Sequence, residues 1–210
     1  RFWREITLTD RKYKPFFTKG KEITKVIFQG VEKGVLTPYK DEAFMQKMSK
    51  QEFLEQLKLP EADSAHASAF DDNHNDWGEH AKAPQAQKVD DEYFLPNEAS
   101  ILELMIDRLF VEGELIRDIQ SLKIIIPEQK FETGLRKEVA IFKYKDLFDY
   151  FNSLGDEAIW FNEDNSARHL NFTKAFEEQL FDSRIVKIEN SEDATLEDIH
   201  KEDHLKVAKQ

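Results

Sequence analysis

The stretch Leu122-Lys123-Ile124-Ile125-Ile126, halted by Pro127, constrains this chain more than any other part of it. It alternates and then saturates with apolar residues, and branching at Cβ favours the extended backbone, so it reads as a strand. Pro127 has no amide proton to give to a ladder and ends it. From Glu138 to Tyr144 a second run alternates, with Val139, Ile141 and Lys143 on one side and Ala140, Phe142 and Tyr144 on the other. Between the two, Glu132-Thr133-Gly134 supplies a glycine where a reversing chain needs positive φ. An antiparallel hairpin with a long loop follows.

The flanking sequence supplies elements to cover such a hairpin. Ile23, Val26, Ile27, Gly30 and Val31 recur at helical spacing, and Gly34 stands where a left-handed C-terminal residue belongs. Ser49 and Glu52 have the spacing of a capping box ahead of Phe53, Leu54 and Leu57, and Pro60 stops that helix. Ile101, Leu104, Met105, Ile106 and Leu109 predict a helix starting near Asn97 and feeding the hairpin. Beyond the hairpin the pattern predicts a helix over 146–154 closed by Gly155, a strand over 158–162, a helix over 171–181 and a strand over 183–190. This order implies an α+β fold, with a small, mostly antiparallel sheet packed against helices. The expected organisation is an N-terminal helical part (1–60), a flexible acidic linker or insertion (61–92), an α+β core domain (93–190) and a charged C-terminal tail (191–210). The insertion is short of branched aliphatics and rich in Ala, Asp, His and Gln, so it buries too little apolar surface to offset the entropy of ordering.

Charge narrows the function classes. The net charge is −12, yet residues 1–60 carry 13 bases against 8 acids, whereas 61–92 carry 9 acids against 2 bases. A polyanion would be repelled by most of this surface, which argues against nucleic acid as a partner. The asymmetry suits contact between the basic N-terminal part and an acidic partner, including another copy. With no cysteine, disulfides, thiolate nucleophiles and thiolate metal sites are all excluded. No run approaches the ~20 apolar residues of a membrane span. The opening Arg1-Phe2-Trp3-Arg4, without an initiating Met, suggests a processed or truncated N-terminus.

Three groupings could carry chemistry. His74 and His80, among Asp71, Asp72, Asp76 and Glu79, are the right ligand types for Zn²⁺, but six-residue spacing matches neither a helical i, i+4 pair nor a finger. With His66 they fit a polar linker better. Trp77 in the same stretch suits either a recognition anchor or an incidental aromatic. His169 with Glu177 and Glu178 offers acid/base groups, which read more simply as exposed helix charge. No G-x-S-x-G elbow and no glycine-rich phosphate loop is present. The expected catalytic, cofactor and metal residues are therefore none, and the chain is expected not to be an enzyme. A metal-dependent hydrolase using these histidines, or a ligand-sensing module switching through 61–92, is the alternative. Phe142, Phe148, Phe151, Trp160, Phe161, Phe172, Phe176 and Phe181 fall at core spacing, with a few left for an exposed assembly patch.

Five ordered segments resemble the GldN/PorN family, periplasmic components of the type IX secretion and gliding machinery of Bacteroidetes. They are FWREITLTDRKYKPFF from Phe2, VIFQGVEKGVLTPYKDEAF from Val26, LFVEGELIRDIQSLKIIIPE from Leu109, FETG from Phe131, and FTKAFEEQLFDSRIVKIEN from Phe172. The last is similar to a helix followed by a Ser-x-Ile-x-Lys-x-x-Asn strand, here Ser183, Ile185, Lys187 and Asn190. The chain departs from the family pattern at Leu109-Phe110-Val111-Glu112, where an aromatic-rich segment is usual, and at Phe142 to Lys145, which lacks an aromatic-Pro ending. The resemblance implies a periplasmic, non-enzymatic structural subunit. Its implied partners are an outer-membrane lipoprotein of the GldK/PorK type, a motor protein of the GldM/PorM type, and further copies of itself in a ring.

Overall fold

The computed structural model describes residues 1–9, 16, 20–59, 93–161 and 169–199. Its centre is a five-stranded antiparallel sheet ordered β4-β3-β2-β1-β7. The strands are β1 (Phe2–Thr7), β2 (Ile101–Val111), β3 (Glu114–Ile126), β4 (Lys137–Lys143) and β7 (Arg184–Ile188). A two-stranded ladder of β5 (Ile159–Trp160) and β6 (Leu170–Asn171) lies apart. The helices are α1 (Ile23–Glu32), α2 (Lys50–Gln56), α3 (Tyr144–Leu154), α4 (Phe172–Glu177) and α5 (Leu196–Ile199). The α+β architecture holds.

The expected hairpin is present as β3 and β4, with Leu122 opposite Phe142 and Ile124 opposite Ala140. One face of the sheet presents Ile6, Leu102, Leu104, Leu122, Ile124 and Phe142, all buried in one core with Ile27 and Phe28 of α1, Phe53 of α2 and Phe151 of α3. Phe53 meets Phe28 edge-on at 5.2 Å and Phe142 at 6.4 Å. Phe16 joins the same core beside Phe172, Phe176 and Phe181. Gly30 lets the chain approach this closely, since a Cβ there would fall 2.6 Å from Leu36 and 2.8 Å from Tyr150. Helix α2 carries the predicted capping box, Ser49 Oγ accepting from the Glu52 amide while the Glu52 carboxylate accepts from the Ser49 amide.

The other face is covered by irregular chain. Tyr39 pairs by both backbone hydrogen bonds with Ile141 on edge strand β4, so that edge is closed to strand addition at this point. Lys143 lies over the rings of Tyr39 and Phe44, and the Trp3 indole donates to both oxygens of Glu42. Thus the segment following α1 straps the sheet from β4 across to β1.

Two readings need correction. The helix predicted from Asn97 is strand β2: Leu102, Leu104 and Ile106 face the helices while Ile101 and Met105 are buried on the opposite side. A strand covered on both faces has near-continuous apolar character, and a short run of that kind mimics a helical stripe. The helix predicted over 171–181 ends at Glu177, because Gln179 adopts φ 52° and turns the chain. Strand β1, between β2 and β7, lies where the sequence pattern predicts no strand. At the far end of α2, Lys58 bridges Tyr93 and the Phe94 amide donates to the Leu57 carbonyl at 2.7 Å, so the stretch between begins and ends at one place.

Candidate docking surface

Strand β1 stops pairing with β2 at Ile106, and β4 stops pairing with β3 at Ser121. Residues 107–119 therefore form a ribbon of two strands with no third strand beside it among the described residues. Between Met105 and Ile106 the register of β2 against β3 shifts, leaving Gln120 without a counterpart. A bulge of this kind bends and twists a strand, and it lies at the root of the ribbon. At the tip only Glu112 and Gly113 separate the strands, with φ 52° and φ 90°. Positive φ at both central residues is the requirement of the tight hairpin turn whose twist matches its strands.

The ribbon is apolar where water reaches it. Phe110 is 76% exposed and Leu115, its cross-strand partner, 56%; Leu109, Val111 and Ile116 are also exposed. Below the tip, like charges lie directly opposite each other, Arg108 facing Arg117 and Asp107 facing Asp118. Such pairs destabilise a two-stranded ribbon unless other groups take up the charge. Arg1 does so for Asp107 through two hydrogen bonds, 2.8 and 2.9 Å, which hold that carboxyl below its usual range. Arg108 lies 4.8 Å over the Phe2 ring, and Arg117 donates to Gln179.

At the root, on the face shared by Ile106, Arg108 and Phe110, opens a cavity of about 320 Å³. Its walls include Ile106, Ile119, Tyr144, Phe148, Phe176 and Phe181. The Tyr144 hydroxyl and Ser183 Oγ, both shut off from solvent, have no hydrogen-bond partner among the described residues. Burial, reinforced by nearby Glu177, raises the Tyr144 phenol and keeps it a donor.

The strap face holds the densest charge. Lys123 Nζ lies 3.0 Å from Glu42, Glu103 and Glu138, and Glu5 accepts from Arg136 at 2.8 Å and Arg184 at 3.2 Å. Burial is the largest single influence on Lys123 and opposes its charge, but the three carboxylates together outweigh it and raise its pKa well above normal. A lysine held protonated in this way is neither a base nor a nucleophile at neutral pH. Its work is to join the strap to the sheet.

Of the chemical candidates, His66, Asp71, Asp72, His74, Asp76, Trp77, Glu79 and His80 lie outside the described residues. His169 is exposed and stacks on Phe161 at 4.8 Å, whereas Glu177 and Glu178 both face Lys174, at 3.3 and 3.7 Å. The two glutamates thus share one lysine, and His169 has a different partner. Among the described residues no group of three or more metal-ligating side chains converges, and no helix is long and apolar enough to cross a membrane. The helical spacing that includes Leu109 hides the exposed ribbon tip; the signal for it is Glu112-Gly113 between apolar runs.

No curated protein matches the chain. A family model described as "Gliding motility associated protein GldN" matches residues 1–210. The chain therefore belongs to the GldN family, components of the gliding motility machinery.

Proposed function

We propose that this GldN-family chain is a non-enzymatic structural subunit of a periplasmic ring in the type IX secretion and gliding machinery. It docks on an outer-membrane lipoprotein of the GldK/PorK type and on a motor protein of the GldM/PorM type. The observation that carries this reading is the unsupported ribbon of residues 107–119. Among the described residues its apolar tip covers none of the core, and a monomer gains no stability by exposing Phe110 and Leu115. A large aromatic on a rigid two-stranded support is suited to act as a buried anchor in another protein. Co-expression with the lipoprotein, followed by native mass spectrometry, tests the reading. A stable complex of several copies is expected, and a chain that remains monomeric and passes the lipoprotein by would refute it.

A further inference from the structure

We propose that Met45 is an oxidation site of this chain, a thioether that hydroperoxides convert to the sulfoxide while the fold stays intact. The sequence holds three methionines and no cysteine, so Met45, Met48 and Met105 carry all of its sulfur. Their access to water differs. Met45 is 82% exposed, more than any other large apolar side chain among the described residues, whereas Met48 is 7% and Met105 3% exposed. Met48 belongs to the main core, and Met105 lies between Trp3 and Ser121 in the sheet. A dissolved oxidant has to touch sulfur to oxidise it, and of the three only Met45 is open to it.

The exposure comes from an ordered turn. Tyr39 bridges Lys47 across it, the Lys40 amide donates to the Gln46 carbonyl at 2.9 Å and the Met48 amide to the Pro38 carbonyl at 2.8 Å. Inside the turn the Asp41 carboxylate accepts from the Met45 amide at 3.1 Å and from the Gln46 amide at 2.7 Å. Phe44 takes φ 58° and meets the Tyr39 ring edge-on at 5.3 Å. One side chain of the turn is thus committed to the strap, and the next, Met45, is left in water. Reaching its sulfur requires no opening of the fold.

The step is a two-electron oxygen transfer. A lone pair on Met45 Sδ attacks one oxygen of hydrogen peroxide, the O–O bond breaks, and after proton transfer water leaves. Sulfur is oxidised to the sulfoxide and the peroxide is reduced. The product replaces a flexible apolar group by a polar one, which in a core would disrupt packing. At Met45 little packing is at stake, because the strap is fastened by other residues, Tyr39 on Ile141 and Glu42 on Trp3 and Lys123. Oxidation therefore changes the polarity of the turn and leaves the sheet beneath it unchanged, and it is reversible by the sulfoxide reductases that act on this group.

The test treats the folded full chain with dilute hydrogen peroxide and follows oxygen uptake by peptide mass spectrometry, tryptic cleavage after Lys47 placing Met45 and Met48 on separate peptides. Met45 is expected to gain one oxygen atom roughly tenfold faster than Met48 or Met105, with circular dichroism unchanged. In denaturant the three rates should converge, and a Met45→Leu chain, folded, should take up no oxygen over the same interval. Comparable rates at the three residues in the folded chain overturn the proposal. So does a Met45 that still reacts fastest in denaturant, which would trace the selectivity to neighbouring sequence instead of exposure, or a loss of the circular dichroism signal as Met45 is oxidised. None of these outcomes depends on the assembly reading, which the lipoprotein experiment tests separately.

Discussion

Replacing Lys123 with methionine removes one charge and preserves most of the side-chain volume. What remains is Glu103, Glu42 and Glu138, gathered around a position where an ammonium had been 3.0 Å from each. The carboxylates do not contribute equally. Glu138 is 58% exposed and is rehydrated at little cost, Glu42 is 30% exposed, and Glu103 at 14% has least access to water. Removing one partner of a fully buried pair costs ~3–5 kcal/mol, and exposed pairs are worth about 0–1 kcal/mol. With one carboxylate near the first limit and one near the second, Lys123→Met is expected to destabilise the fold by about 2–4 kcal/mol. Chemical denaturation with an unchanged slope measures this directly. The pH dependence provides an independent reading. The folded pKa of Lys123 is raised above the unfolded value of 10.5, so its stabilisation is complete below that value and is lost as pH climbs past it through the folded pKa. The gap in stability between wild type and Lys123→Met should therefore be constant up to about pH 10 and shrink above it. A loss below about 1 kcal/mol, or a gap that widens with alkali, would refute the argument that this lysine fastens the strap.

Other outcomes follow from the same geometry. Gly30→Ala should gain about 1 kcal/mol of helix propensity but force Leu36 and the Tyr150 ring apart, for a net loss of about 1–2 kcal/mol in thermal or chemical unfolding. Tyr144→Phe removes a buried hydroxyl that has no partner among the described residues, so the isolated protein should be unchanged or up to about 1 kcal/mol more stable. The Glu52 carboxyl is held down to about 2, chiefly by Lys40 and then by Ser49. NMR titration should show it ionised well below the usual 4.5, and Lys40→Met or high salt should return it toward that value.

What the sequence revealed depended on whether local pattern or distant partners set the structure. The β3–β4 hairpin, the capping box of α2 and the glycine stops at Gly34 and Gly155 were legible, because each is decided within a few residues. Strand β1 was not. Its Trp3 and Glu5 appear as surface residues until Glu42, Arg136 and Arg184 arrive to satisfy them. Strand β2 was misread for a related reason, since neighbours on both faces made its polar positions scarce. The docking surface followed that error, because an exposed tip is visible only once its two strands are known to be strands. The root cavity had no signal at all: Ile106, Tyr144, Phe176 and Ser183 come from four separate elements or their connections.

The bridge between Lys58 and Tyr93 acts as a clasp. Whatever chain leaves the fold at Leu59 returns to it at Tyr93, so the bridge makes a socket whose two terminals are wired together. Widening a loop whose ends are already fixed costs only about 0.6 kcal/mol per doubling. This socket can therefore accept cargo of very different length, including a tag, a reporter or another binding domain, while the sheet and its ribbon keep their shape.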